Sequence, residues 1–168
     1  ISTARAGNVI GGGDFAENRI IADCIRAAYK SQEIIVRNPY SIRPYQHVLE
    51  PLYVYLMIAK AQCENIEFAG YYNVGPDECD CITTGDLVDL FCKEWGNGQA
   101  WKNVCNQGPH EAQFLKLDCS KLKNTFGWGP RWQITEAVVK TVEWAKVYEQ
   151  NDSIVDCMEK QIRLFMLG

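Results

Sequence analysis

Residues 3–14 decide the fold and read TARAGNVIGGGD. The segment 3–9 predicts a buried strand, and the glycines at 11–13 predict a turn after it, because glycine adopts backbone conformations that other residues avoid. The strand begins with no capping or edge residue before it. We therefore expect residues 1–168 to be a single fragment of a longer protein, with a further portion on the N-terminal side.

Short strands and helices alternate along the rest of the chain. Residues 18–30 predict an amphipathic helix, since their apolar side chains recur at helical spacing. Further strands are expected at 34–36, 71–74 and 101–104, and further helices at 50–64, 87–95 and 120–127, followed by one helix capped by Thr135 and one that follows 151–153. This alternation predicts an α/β fold, with too few strands for a complete doubly wound sheet.

The composition is that of a folded domain, with 47% apolar and 23% charged residues. Lys and Arg number 17 and Asp and Glu 21, which leaves a net charge of −4. An acidic chain argues against nucleic acid or an anionic membrane as the main partner. No run of about 18 apolar residues is present, so we expect no membrane span, and no signal peptide is visible.

Eight cysteines are spread along the chain, and the only close pair is Cys79 and Cys81. Cys24, Cys92 and Cys157 fall in apolar helical patterns, where a thiol packs like a small hydrophobic side chain. Structural zinc sites use two pairs of ligands with longer spacers, so we expect no metal site. Reduced thiols indicate a cytoplasmic protein.

Several well-known motifs are absent from the sequence. The glycines at 11–13 lack the G-x-G-x-x-G spacing of a dinucleotide-binding turn. There is no Walker loop and no G-x-S-x-G nucleophile elbow. The residues alone therefore do not identify a nucleotide-binding or hydrolytic enzyme.

Arg19, Arg37 and Arg43 lie near predicted loops in one short part of the chain. A guanidinium group donates parallel hydrogen bonds that match two phosphate oxygens. Singly, each arginine is interpreted as a surface charge. Together, beside a glycine-rich loop, they are compatible with a diphosphate ligand, and that loop is either a place of close ligand approach or a plain surface turn.

Two pairs of polar residues leave alternatives open. His47 and Glu50 are either a catalytic pair or residues held in a structural hydrogen bond. His110 and Glu111 follow a Gly-Pro turn, and they either contact a ligand or cap the chain locally.

Residues 4–15, ARAGNVIGGGDF, resemble the stretch A-R-A-G-N-V-I-G-G-G-D-W of the CDP-glucose 4,6-dehydratase family, which belongs to the extended short-chain dehydrogenase/reductase superfamily. Phe15 departs from the Trp of that stretch. The resemblance covers nearly the whole chain and continues in residues 37–52, 72–76, 110–121, 127–132 and 141–144.

This resemblance implies the C-terminal part of a Rossmann-type enzyme, including its small substrate-binding domain. Such lyases convert CDP-glucose to CDP-4-keto-6-deoxyglucose with NAD: hydride leaves C4, water is eliminated across C5 and C6, and hydride returns to C6. The product serves dideoxysugar and O-antigen synthesis. In the family the NAD-binding loop and a Tyr-x-x-x-Lys pair lie upstream, so we expect no catalytic residue here and no turnover by this chain alone.

The resemblance also assigns roles to individual residues, although one diphosphate-binding Arg of many relatives has no counterpart here. Ala6 and Gly7 correspond to residues beside the nicotinamide. Contacts with CDP or CDP-glucose are expected from Asn8, Arg19, Ile20, Ile35, Arg37, Arg43, Tyr45, His110 and Glu111. A homo-oligomer is compatible with the resemblance. The alternatives are a non-catalytic nucleotide-sugar-binding module and an epimerase or dehydratase of another nucleotide sugar.

Overall fold

The computed structural model describes residues 1–104 and 113–168. The strands within these residues are β1 (Thr3–Ala6), β2 (Asn8–Ile10), β3 (Ile34–Val36), β4 (Ile42–His47), β5 (Tyr71–Val74), β6 (Cys81–Thr83) and β7 (Trp101–Asn103). The helices are α1 (Ile20–Tyr29), α2 (Leu49–Glu64), α3 (Thr84–Trp95), α4 (Ser120–Phe126), α5 (Ile134–Glu149) and α6 (Ile154–Leu167), with short 3₁₀ helices at Ile66–Phe68 and Glu78–Asp80. The α/β prediction is confirmed.

The strands form three small sheets. β1 pairs in parallel with β5, and β3 pairs in parallel with β7. The third sheet has β4 in its centre, with β2 parallel on one side and β6 antiparallel on the other. Because β2 and β4 run in the same direction, their carboxyl ends meet at one edge of the sheet.

The segment expected to be one strand is divided at Gly7 into β1 and β2, which pair with different partners. The N–H of Gly7 donates to the carbonyl oxygen of Val74 at 2.9 Å. A Cβ at Gly7 would lie 2.7 Å from the carbonyl oxygen of Pro44. The chain passes from one sheet to the next at this point because glycine has no side chain to collide with β4.

Two apolar clusters hold these elements together. The larger cluster lies among α1, α3 and α5, which bury Ile25, Phe91 and Val138 respectively. The smaller one lies beneath α2, where Val54 contributes to a cluster that also contains Trp128. As expected, Cys24 and Cys157 are buried among the helices, and Cys92 is partly buried.

The helix cap predicted at Thr135 is wrong, although side chains cap two other helices. The side chains of Thr83 and Ser153 accept hydrogen bonds from the first turns of α3 and α6. Thr135 does not cap α5, because the helix begins one residue earlier, at Ile134. The backbone N–H of Ile134, at the start of α5, instead donates to the carboxylate of Asp80, which is distant in the sequence. Burial raises the pKa of Asp80, and this hydrogen bond lowers it.

Candidate functional site

A cavity of about 1000 Å³ lies against β2 and one face of β4, and it is bounded by α1, β3 and the start of α3. Nine of the candidate residues named from the sequence line it: Ala6, Gly7, Asn8, Arg19, Ile20, Ile35, Arg37, Arg43 and Tyr45. The other two, His110 and Glu111, lie outside the described residues. The fold therefore gathers residues from four segments into one concave site, while their individual roles stay predictions.

Strand pairing explains why distant residues meet at this cavity. Asn8 on β2 lies opposite Tyr45 on β4 in the parallel register. Side chains alternate between the two faces of a strand, so Arg43 and Tyr45 share one face of β4. Gln46 lies on the other face, where its Nε2 donates to the carbonyl oxygen of Val74 at 2.8 Å.

Polar partners hold two of the arginines at the cavity. Nη1 of Arg19 donates to Oδ2 of Asp14 at 3.3 Å, and Asp14 is itself fixed by the N–H of Ala16 at 3.0 Å. Nη1 of Arg37 donates to Oδ1 of Asn18 at 3.3 Å. These bonds direct both guanidinium groups to the loop before α1, at the rim of the cavity.

The same loop is clamped from α1 by Arg26, which sequence reasoning missed. Its guanidinium donates to the carbonyl oxygens of Phe15 at 3.0 Å and Ala16 at 3.1 Å, and it pairs with Asp23. Arg26 lies about one and a half turns into the helix, and nothing in the sequence indicates that it bonds back to the loop before the helix.

Arg43 lies deeper in the cavity wall and is only 6% exposed. Its Nη1 donates to the carbonyl oxygen of the preceding residue, Ile42, at 2.9 Å. A buried cation gains most from an anionic ligand, because the surrounding dielectric constant is low. Arg43 is therefore the candidate best placed to bind phosphate.

The glycine-rich loop serves packing as well as the cavity. A Cβ at Gly12 would lie 2.2 Å from the indole ring of Trp144 on α5, and a Cβ at Gly11 would lie 2.7 Å from Val48. Neither open interpretation from the sequence, close ligand approach or a plain surface turn, accounts for Gly12. The close approach there is to Trp144.

His47 and Glu50 are held in structural contacts. Oε1 of Glu50 accepts hydrogen bonds from the backbone N–H groups of Arg131 and Trp132, both at 2.8 Å. Nδ1 of His47 accepts from the N–H of Leu49 at 3.3 Å. Burial lowers the pKa of His47 to about 4 and raises the pKa of Glu50. Of the two interpretations left open, the geometry favours the structural one.

Ser41 and Thr84 also line the cavity and were missed. Both are 8% exposed, and the Thr84 hydroxyl lies 3.0 Å from the hydroxyls of Ser41 and Tyr45. The period of two that puts Arg43 and Tyr45 on one face also includes Ser41, so a signal was present for that residue. Thr84 gave no comparable signal, because it comes from a distant part of the chain.

Neither a metal centre nor a membrane span is found in residues 1–104 and 113–168. They contain no group of three or more His, Cys, Asp or Glu side chains able to hold a metal ion. Within the same ranges, no helix has both the length and the apolar character that crossing a bilayer requires.

Comparison with known proteins starts from sequence. No protein-family model matches the chain. The chain is 42% identical over 167 residues to CDP-glucose 4,6-dehydratase from Salmonella typhimurium, a match that spans 99% of this chain and 46% of that protein. The match covers its C-terminal half, which confirms the resemblance described above. The chain thus spans about half the length of the curated relative.

Solved structures agree on the architecture. An epimerase of UDP-glucose from Stenotrophomonas maltophila, with bound NAD and formylated UDP-arabinopyranose, gives a TM-score of 0.74 at 17% identity, over 90% of this chain and 49% of that one. The chain has the fold of the C-terminal part of an extended short-chain dehydrogenase/reductase. The structure of dTDP-glucose 4,6-dehydratase from Bacillus anthracis in complex with NAD gives a TM-score of 0.69 at 16% identity, over 88% of this chain and 45% of that one.

Proposed function

We propose that this chain is the substrate-binding portion of a CDP-glucose 4,6-dehydratase, a hydro-lyase that forms CDP-4-keto-6-deoxyglucose. The observation that carries the proposal is the 42% identity to such an enzyme over 99% of the chain. The cavity adds support, since it gathers the residues that the resemblance assigns to the substrate. We place the enzyme in the cytoplasm, in the synthesis of dideoxysugars for surface polysaccharide.

The diphosphate of the substrate would bind to the arginines of the cavity. Arg19 lies just before α1, Arg37 just after β3, and Arg43 on β4, so the three arginines surround a ligand on several sides. Each guanidinium can donate two hydrogen bonds to phosphate oxygens. The hydrogen bonds from Arg19 to Asp14 and from Arg37 to Asn18 are both 3.3 Å long and lie in exposed positions. An anionic ligand can replace them at small cost.

The structure is compatible with NAD at one end of the same cavity. Ala6 and Gly7 lie at the carboxyl end of β1 and line the cavity with no bulky side chain, so a flat ring can lie against them. Packing also requires a glycine at position 7, because Pro44 approaches its backbone closely. NAD, when bound, supplies the hydride acceptance and return on which the dehydration depends.

We further propose that residues 1–168 form one unit and that the remaining portion of the protein carries the NAD-binding turn and the catalytic Tyr and Lys. The chain spans 46% of its curated relative, which leaves room for such a portion. This chain alone is then expected not to dehydrate CDP-glucose. Turnover by the isolated 168 residues would contradict this part of the proposal.

Calorimetric titration of the natural full-length protein with CDP, UDP and dTDP tests the proposal. CDP should bind most tightly. Arg43→Ala should weaken CDP binding about tenfold or more, because hydrogen bonds to a charged group contribute about 1.5–3 kcal/mol. The matched control is Arg163→Ala, since Arg163 is 79% exposed on α6, where it forms an ion pair with Glu159.

The outcomes separate the alternatives. Tighter binding of UDP or dTDP would favour an enzyme of another nucleotide sugar. Binding of CDP without any turnover by the full-length protein would favour a non-catalytic binding module. The absence of binding to all three nucleotides would refute the proposal as a whole.

A further inference from the structure

Three hydroxyl groups meet in the wall of the cavity. The Thr84 hydroxyl lies 3.0 Å from the hydroxyl of Tyr45 and 3.0 Å from that of Ser41. All three residues are more than nine-tenths buried, at 8%, 3% and 8% exposure for Thr84, Tyr45 and Ser41. Polar groups buried to this extent need partners, so each hydroxyl fixes the position of the next.

The direction of the hydrogen bonds follows from the acceptors. The Ser41 hydroxyl donates to the carbonyl oxygen of Asn38 at 2.9 Å, so the Thr84 hydroxyl is the donor toward Ser41, whose hydroxyl lies at 3.0 Å and whose carbonyl oxygen lies at 3.2 Å. Each hydroxyl has one proton to donate. With the protons of Ser41 and Thr84 used in this way, the bond between Tyr45 and Thr84 is donated by Tyr45.

The same threonine also docks the loop at 38–41, which lies between Arg37 and the strand that carries Arg43. Its backbone N–H donates to the carbonyl oxygen of Ser41 at 2.9 Å, and the N–H of Gly85 donates to that of Pro39 at 2.8 Å. The first turn of α3 thus holds the loop by its own N–H groups, which have no partner inside the helix. The separation of the two arginines depends on this docking.

We propose that Thr84 is a positioning residue for the nucleotide ligand. It fixes the Tyr45 hydroxyl in the cavity wall and keeps the 38–41 loop in place between the two arginines. The proposal rests on the proposed function, since it assumes that the cavity binds a nucleoside diphosphate. Thr84 need not touch the ligand, because its effect passes through Tyr45 and the loop.

The test is the affinity of the natural full-length protein for CDP, measured by calorimetry with four variants. Thr84→Val keeps the shape of the side chain and removes its hydroxyl, and we expect CDP affinity to fall about fivefold, the equivalent of one net hydrogen bond. Thr84→Ser restores the hydroxyl and should restore affinity to within about twofold of the natural protein. Tyr45→Phe combined with Thr84→Val should lower affinity by less than the sum of the two single losses, because both changes break the contact between the Tyr45 and Thr84 hydroxyls.

Thr141→Val is the matched control. Thr141 is fully buried on α5, away from the cavity, and its hydroxyl donates to the carbonyl oxygen of Ala137 at 2.7 Å. Thr141→Val loses one buried hydrogen bond and Thr84→Val loses those to Tyr45 and Ser41, so both variants should lose thermal stability, Thr84→Val at least as much as the control. Only Thr84→Val should lose CDP affinity, which a purely structural role would not produce.

Each outcome decides the matter. Unchanged CDP affinity in Thr84→Val, or additive losses with Tyr45→Phe, would overturn the positioning role while the proposed function stands. A loss of equal size in Thr141→Val would overturn it too, as a general effect of stability. If the natural protein binds no CDP, the proposed function falls and this inference falls with it.

Discussion

Replacing Gly12 with alanine should destabilise the protein more than any other single methyl group added to the glycine loop. The new Cβ would lie 2.2 Å from both Cγ and Cδ2 of Trp144 and 2.6 Å from Cδ1. Carbon atoms in contact lie about 3.5–4.0 Å apart, so the loop or the indole must move by roughly 1.5 Å. These atoms are the inner part of the ring, which cannot swing aside as the end of a flexible side chain can.

The cost follows from what Trp144 contacts. Trp144 is 8% exposed, and its ring stacks on that of Tyr148 with 5.3 Å between the ring centroids. The ring centroid of Phe15 lies 6.2 Å away. Overpacking of this kind costs about 1–3 kcal/mol. For a domain of 150–250 residues, 1 kcal/mol corresponds to about 2–4 °C in Tm, and to roughly half of that in a protein about twice as long, so we expect the full-length protein to lose about 2–4 °C for a cost of about 2 kcal/mol.

Thermal unfolding followed by tryptophan fluorescence measures this effect in the natural full-length protein. Gly129→Ala is the control, because a Cβ at Gly129 meets nothing within 4 Å and its φ is not in the left-handed region. The control should change Tm by about 1 °C at most. Equal Tm values for the two alanine variants would refute the explanation of Gly12 by its contact with Trp144.

Two further predictions concern the buried pair near α2. Burial lowers the pKa of His47 from 6.5 to about 4, so the unfolded chain binds this proton first and stability is lost as the pH falls through that range. Between about pH 7 and about pH 4, His47 should lower the free energy of unfolding by about 3 kcal/mol. Urea unfolding at the two pH values should show a smaller decrease for His47→Gln. An identical pH dependence in the natural protein and the variant would contradict this. Glu50→Ala leaves the N–H groups of Arg131 and Trp132 without their acceptor and should cost about 2–4 kcal/mol in urea unfolding, whereas Glu50→Gln keeps an acceptor oxygen and should cost less. Equal losses for the two variants of Glu50 would show that the hydrogen bonds do not matter.

Local sequence signals predicted most elements of the fold, and pairing between distant segments explains what they missed. The helices at 87–95 and after 151–153 were predicted from local pattern, and their caps at Thr83 and Ser153 likewise act within the first turn. Strand β6 has three residues, too few for a periodic pattern, and forms because β4 offers a free edge. Thr135 was misjudged because the carboxylate near the start of α5 is Asp80, which no local pattern links to that helix.

In the candidate site, too, local signals were predictable and contacts between distant segments were not. The family resemblance located the nine described residues that line the cavity, and the arginines beside loops were visible from residue type alone. The bonds that hold them were not. Asp14 bonds to Arg19 within one loop, but Thr84 reaches Tyr45 across 39 residues of sequence, because β6, which ends at Thr83, pairs with β4.

The most direct test of the central claim is mass spectrometry of CDP-glucose incubated with the natural full-length protein and NAD. The account predicts loss of one water from the sugar nucleotide, with CDP-glucose consumed faster than UDP-glucose or dTDP-glucose. Arg43→Ala should slow the reaction at low substrate concentration. Unchanged CDP-glucose, or an isomer of unchanged mass, would contradict the assignment of this chain to a CDP-glucose dehydratase.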